Sequence, residues 1–303
     1  MSGPLLVFGA AGQVGRELMA LADTRGAEAV GLTRGEVDIT DTAAVTRAIA
    51  SAKPRLIVNC AAYTAVDRAE TEPDRATAIN ATGAGVLAEA ADRAGIPILH
   101  MSTDYVFDGS KQGAYREDDP IAPLGVYGRS KAEGEALVRA VPRLIILRTA
   151  WVYGAYGNNF LKTMLRLAAE RDQLRVVADQ RGCPTATLDI AEAILAVDAE
   201  LRASQAGADN VFGTYHFAGT GATTWHGFAR AIVEAQAERT GKNPSVEPIP
   251  SADFPTPARR PANSELDSSL FANTFAYRAA AWPVRMRQVI DTLLAERLDQ
   301  RTA

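Results

Sequence analysis

The sequence is poor in the residues that build disulfide frameworks, metal centres and membrane spans. It holds two cysteines, Cys60 and Cys183, far apart and with no Cys-x-x-Cys pair. That excludes a disulfide scaffold or a zinc ribbon, and both read as buried free thiols in a reducing compartment. The three histidines, His100, His216 and His226, fall at no metal-ligand spacing, so each reads as structural and no metal site is expected. No apolar run approaches the roughly 20 residues of a membrane span. The short apolar stretch at the N-terminus lacks the basic leader of a secretory signal. The expectation is a cytoplasmic, soluble protein with no membrane partner. Basic runs interleaved with aromatics are also missing, and the formal charge is −4 with scattered arginines. No nucleic-acid partner is expected. There is no internal repeat and no low-complexity tail.

What is present is an ordinary globular composition, 47% hydrophobic and 22% charged over 303 residues. That is enough for one large domain with a smaller second one. In the first half, short apolar runs at Leu5–Phe8, Ala29–Thr33, Arg55–Asn59, Pro97–Met101 and Leu144–Arg148 alternate with helical patterns. The helices are predicted at Gln13–Thr24, Thr42–Ala52, Asp74–Ala94 and about Leu124–Ala140. Strand–helix alternation predicts an α/β fold: a Rossmann-like, doubly wound parallel sheet with helices on both faces. The second half is less regular, with helices expected at Asn158–Arg171, Thr187–Leu201, Thr224–Arg239 and Val284–Leu298. Leu174–Val177 and Thr214–Phe217 read as strands that join or extend the sheet. The predicted division is a dinucleotide-binding domain over 1–155 and a smaller mixed α/β substrate lobe over 156–303, some of whose segments return to the sheet.

The first strand runs into Gly9-Ala10-Ala11-Gly12-Gln13-Val14-Gly15, and a helical pattern follows. Strand, glycine turn and helix start form the dinucleotide-binding arrangement: the backbone approaches a pyrophosphate, and the helix N-terminus offers it N–H groups. The spacing is Gly-x-x-Gly-x-x-Gly. The second strand ends on Thr33-Arg34, where an acid would grip the ribose 2′-hydroxyl. A cation there suits a 2′-phosphate, so NADPH is favoured over NADH.

Further on, Tyr127 and Lys131 stand four apart, on one face of a predicted helix. A nearby ammonium favours the phenolate and brings a tyrosine closer to useful acid–base work. Ser102-Thr103-Asp104 falls directly after the fourth strand, at the carboxyl edge where ligands bind in such sheets. A hydroxyl, a phenol and an amine are thus expected to meet beside the nucleotide.

With the glycine turn, this set resembles the extended short-chain dehydrogenase/reductases. Within them the chain is similar to the dTDP-4-dehydrorhamnose reductases. The similarity rests on Asn59–Asp67, Ser102–Gly109, Arg148–Tyr153, Gly157–Phe160, Asp179–Thr185 and Pro255–Ser264, and so spans nearly the whole chain. It implies NAD(P)H-dependent reduction of the C4 ketone of dTDP-4-dehydro-β-L-rhamnose. Tyr127 would be the general acid. Lys131 would hold the nicotinamide ribose and lower the tyrosine's pKa, and Thr103 would bond the reacting oxygen or tune Tyr127. It further implies cofactor contacts at Gly9, Gly12, Gln13, Val14, Gly15, Arg34, Asp38, Ile39, Ala61, Ala62 and Tyr63. Substrate contacts would lie at Thr64, Val66, Thr103, Asp104, Tyr105, Trp151 and Arg260. A homodimer is implied as well. Some relatives hold a cation through glutamates; Glu17 matches one such place but Leu188 stands at another, so that site is not expected here. Asn80 reads as holding backbone or water near the site, outside the catalytic set. Two other roles fit the same scaffold: a nucleotide-sugar epimerase, and an NADP-binding regulatory subunit like that of methionine adenosyltransferase.

Overall fold

In the computed structural model, which describes residues 3–203 and 211–302, the strands are β1 (Leu5–Phe8), β2 (Ala29–Leu32), β3 (Leu56–Asn59), β4 (Ile98–Thr103) and β5 (Leu144–Thr149). With Gly213–His216 they form a six-stranded sheet in the order Gly213–His216, β5, β4, β3, β1, β2, and every pairing is parallel. The register sets Val7 beside Val58 and Phe8 beside Asn59, and Thr103 beside Thr149. The strands are apolar because both faces are covered. Leu5, Val7, Val58, Leu99 and Ile145 pack one way against Ile190, Ile194 and Val197 of the helix Thr187–Ala203. Leu6, Phe8, Ile57 and Ile146 pack the other way against Val45, Ile49, Leu87 and Val138. Thr187–Ala203 and Gly213–His216 therefore return from the second half to the sheet.

The helices α1 (Gln13–Thr24) and α2 (Thr42–Ala52) occupy the predicted ranges, and Asp41 caps α2 by accepting from the Ala43 and Ala44 N–H groups. The single helix expected over Asp74–Ala94 is interrupted. Pro73–Thr77 and Gly83–Arg93 are α-helical, and Ala78–Thr82 between them is a π-turn.

Leu174–Val177 departs from expectation. It lies in a strand, Gln173–Val177, but pairs in parallel with Ser245–Ile249 as a separate two-stranded sheet and does not join the central one. This small sheet packs with the helices Phe160–Glu170, Trp225–Thr240 and Trp282–Thr302 around Leu161, Leu165, Leu174, Phe228, Ile232 and Ile290, a core of its own. No described helix is long and apolar enough to cross a membrane.

Candidate active site

At the carboxyl edge of the sheet the glycine turn brings two backbone segments close together. Gly9 has φ +81°, and a Cβ there would stand 2.5 Å from the Ala61 nitrogen, so only glycine lets β1 and the loop after β3 run this close. Beside it opens a cavity of about 330 Å³ lined by Gly9, Gly12, Arg34, Asp38, Ile39, Ala61, Ala62 and Tyr63, all expected cofactor contacts. Ala11, Val37, Cys60, Ala65 and Ile79 complete the wall without having been singled out from the sequence. Thr64, expected at the sugar, lines this first cavity as well.

Gln13, Val14 and Gly15 stand off the cavity wall. Gln13 accepts from Asn159 Nδ2 at 3.0 Å, Val14 packs into the core, and Gly15 is buried against the Gly9 backbone. Gly12 caps α1 without any side-chain bond, which leaves the first turn's N–H groups to a ligand.

The helix Val126–Val138 carries Tyr127 and Lys131. Glu70 accepts from its first N–H, that of Val126, at 2.8 Å. Asn80, on the π-turn, donates to Ser130 at 3.0 Å and to the Tyr63 carbonyl at 3.1 Å, and accepts from the Tyr63 N–H at 2.8 Å. One buried amide thus ties the cofactor loop to the tyrosine helix. Gly134 permits the approach, since a Cβ there would overlap the Asn80 carbonyl oxygen. Further along, Glu135 bonds Arg148 at 2.9 and 2.8 Å and accepts from Ser102 at 2.6 Å, all in the interior.

The expected electrostatics of Tyr127 are corrected by the structure. Burial pushes its phenol up to about 12, and the opposing influence is a hydrogen bond with Thr103 rather than the ammonium of Lys131. Lys131 is buried and turns its Nζ to the Met101 carbonyl at 2.7 Å and to His100 Nε2 at 3.3 Å. Burial draws its own pKa down to about 8. Thr103 donates to Asp104 at 2.9 Å and accepts from the Tyr105 N–H at 3.2 Å. Burial lifts the Asp104 carboxyl to about 7, and its Oδ2 has no protein partner.

Tyr105 meets Tyr127 edge-on, 5.4 Å between ring centres, and lines a second cavity of about 670 Å³. Arg260 lines it too, held by Asp67 at 2.8 Å. Arg166, Arg171, Arg175 and Trp225 belong to the same wall and were not anticipated. Trp151 stands behind this wall. Trp225 covers its indole face to face at 3.6 Å, and its Nε1 donates to Ser264 at 3.0 Å, so Trp225 is the ring on the wall. Val66 opens the short helix Val66–Ala69. Among the described residues no cluster of His, Cys, Asp and Glu could hold a metal ion, and Glu17 accepts from Thr187 at 2.6 Å.

Known proteins resemble this chain over nearly its whole length. The family described as "RmlD substrate binding domain" matches residues 3–295. A dTDP-4-dehydrorhamnose reductase of Sinorhizobium fredii is 45% identical over 97% of this chain and 99% of its own. The crystal structure of a dTDP-4-dehydrorhamnose reductase from Clostridium acetobutylicum superposes with a TM-score of 0.88 at 38% identity, covering 96% of this chain and 99% of that one. That of the Bacillus anthracis enzyme, in complex with NADP, gives 0.86 at 34% identity, over 96% and 100%.

Proposed function

The chain belongs to the RmlD substrate-binding family, whose relatives above are named dTDP-4-dehydrorhamnose reductase, and on that membership we propose that it reduces the C4 ketone of dTDP-4-dehydro-β-L-rhamnose to dTDP-L-rhamnose with NAD(P)H. The observation that carries this reading is the place of Tyr127. It packs with Tyr63 and Ile79, which line the first cavity, and meets Tyr105, which lines the second. Tyr127 thus stands between residues of the two cavity walls.

The first cavity fits a dinucleotide. Its glycine turn leaves room for a pyrophosphate, α1 offers uncapped N–H groups, and Arg34, with 66% of its side chain exposed, stands where a 2′-phosphate would lie. The bound nicotinamide supplies the hydride. The second cavity takes the dTDP-sugar: arginines suit the diphosphate and Trp225 offers a stacking face. Tyr127 gives its proton to the ketone oxygen as negative charge develops there. A phenol held near 12 stays protonated through the neutral range, which is what an acid requires. Thr103 steadies that oxygen and the phenol. Lys131, with a pKa near 8, holds a proton that it can pass on to restore the spent tyrosine. Unpaired Cys60 and Cys183 support a reducing, cytoplasmic setting, and the family likeness supports a homodimer.

The test is net cofactor oxidation. Supplied with dTDP-4-dehydrorhamnose, the protein is expected to consume NADPH or NADH in step with dTDP-L-rhamnose formed. Isomerisation of a nucleotide sugar without net oxidation would instead identify an epimerase.

A further inference from the structure

Three buried side chains form a line behind the active site, and two of them, Asn59 and His100, have no part in the reaction above. Asn59 ends β3, His100 sits in β4, and Lys131 lies across from them on its helix, all nearly devoid of solvent exposure. Asn59 Nδ2 meets His100 Nδ1 at 3.0 Å, and His100 Nε2 meets Lys131 Nζ at 3.3 Å.

Hydrogen-bond bookkeeping fixes the protons along this line. The Ala61 N–H donates to Asn59 Oδ1 at 3.1 Å, so the amide cannot be flipped without setting two donors against each other. Its NH₂ group therefore points at His100, and Nδ1 must accept. A neutral imidazole carries one proton, which is then left on Nε2. Burial keeps the ring from taking a second. Lys131 consequently faces an N–H group, not a lone pair. An ammonium there sets donor against donor. A neutral amine accepts the Nε2 proton while still donating to the Met101 carbonyl, 2.7 Å away.

We propose that His100, locked by Asn59 with its proton on Nε2, is a positioning residue that stabilises the neutral amine of Lys131 and so disposes this lysine to release its proton. The other charged or titratable groups acting on Lys131 are Glu135 on its own helix and Cys60 after β3. Neither supplies the same push: Glu135 favours the ammonium and is committed to Arg148 and Ser102, and burial keeps the Cys60 thiol protonated. When the lysine passes its proton towards the tyrosine, the amine left behind already has a donor waiting. This consequence rests on the reductase reading, whereas the arrangement of protons does not.

The experiment is nuclear magnetic resonance on the full-length, cofactor-free protein, with ¹⁵N in its three histidines and ¹³C in its five lysines. His100 and Lys131 are assigned by the signals that vanish in His100→Gln and Lys131→Met. The expected result is a neutral His100 with the proton on Nε2 from pH 6 to 9, and a Lys131 midpoint well below the roughly 10.4 of a free lysine. Asn59→Asp keeps the acceptor for Ala61 but offers His100 a carboxylate. It should move the ring proton to Nδ1 and raise the Lys131 midpoint by about one unit or more, and the basic limb of the kcat profile should follow. A wild-type ring with its proton on Nδ1, or one doubly protonated, overturns the proposal even if Asn59→Asp does not fold. So does a switched tautomer in Asn59→Asp that leaves the Lys131 midpoint unmoved. Because the spectra need no substrate, their outcome is independent of whether the protein reduces a sugar.

Discussion

Asn80 donates to Ser130 at 3.0 Å across two elements that the sequence separates by 50 residues, and the same amide brackets the Tyr63 peptide with both of its polar atoms. The wall of the first cavity and the helix that bears Tyr127 are therefore one mechanical unit. The π-turn Ala78–Thr82 is what aims this side chain inward, and such turns often mark functional sites.

Asn80→Ala leaves the buried Tyr63 N–H and carbonyl without their partners, which costs about 1–3 kcal/mol. The expected outcome is a lower unfolding temperature together with a higher KM for the nicotinamide cofactor. Chemical denaturation and steady-state kinetics check the two halves. A variant that loses stability but binds cofactor as before would show that Asn80 serves the core alone.

The Glu135–Arg148 pair predicts how the protein responds to acid. Burial raises the Glu135 pKa, but the Arg148 hydrogen bonds and charge outweigh it, and the carboxyl ends below its ordinary 4.5. Its contribution to stability is thus full above about pH 4.5 and is lost as pH falls through the lower folded value. Glu135→Gln, which leaves the Arg148 guanidinium buried and uncompensated, should cost about 3–5 kcal/mol. The variant's stability should also lose part of its slope between pH 5 and 3, measured by urea unfolding.

Arg34 predicts a change of cofactor preference. Its side chain is largely exposed and pairs only loosely with Asp38, at 3.8 Å, so it is available to a 2′-phosphate. Arg34→Ala should reduce kcat/KM for NADPH roughly ten-fold, as loss of one charge-assisted bond in partial solvent does. The value for NADH should hardly move. Equal losses with both cofactors would place Arg34 on the adenine instead.

The central strands β1, β3 and β5 are legible because each is a short apolar run buried on both faces, and Leu5–Phe8 and the helix Thr42–Ala52 fall where the pattern sets them. Tyr127, Lys131 and Thr103 are legible because their spacing is local and their strand edge is marked. What escapes is what depends on distant segments. Ser245–Ile249 contains Pro248, which has no N–H to pair, and reads as loop; only Gln173–Val177 beside it makes it a strand. The second cavity draws Arg166, Trp225 and Phe254 from separate elements, with no motif to join them. Trp151 is expected at the sugar from its place after β5, and nothing local announces that Trp225 lies over its ring. Spacing sets Lys131 one turn from Tyr127 but says nothing of His100 and the Met101 carbonyl, which hold Lys131 and come from β4.

The central claim is that Tyr127 protonates the ketone oxygen as hydride arrives. Tyr127→Phe keeps the ring and its contact with Tyr105 and removes only the hydroxyl. The most direct measurement is single-turnover oxidation of bound NADPH by dTDP-4-dehydrorhamnose, followed at the nicotinamide absorbance in wild type and variant. The account predicts a rate about a hundred- to ten-thousand-fold slower in the variant, with cofactor affinity kept. An unchanged rate would contradict it.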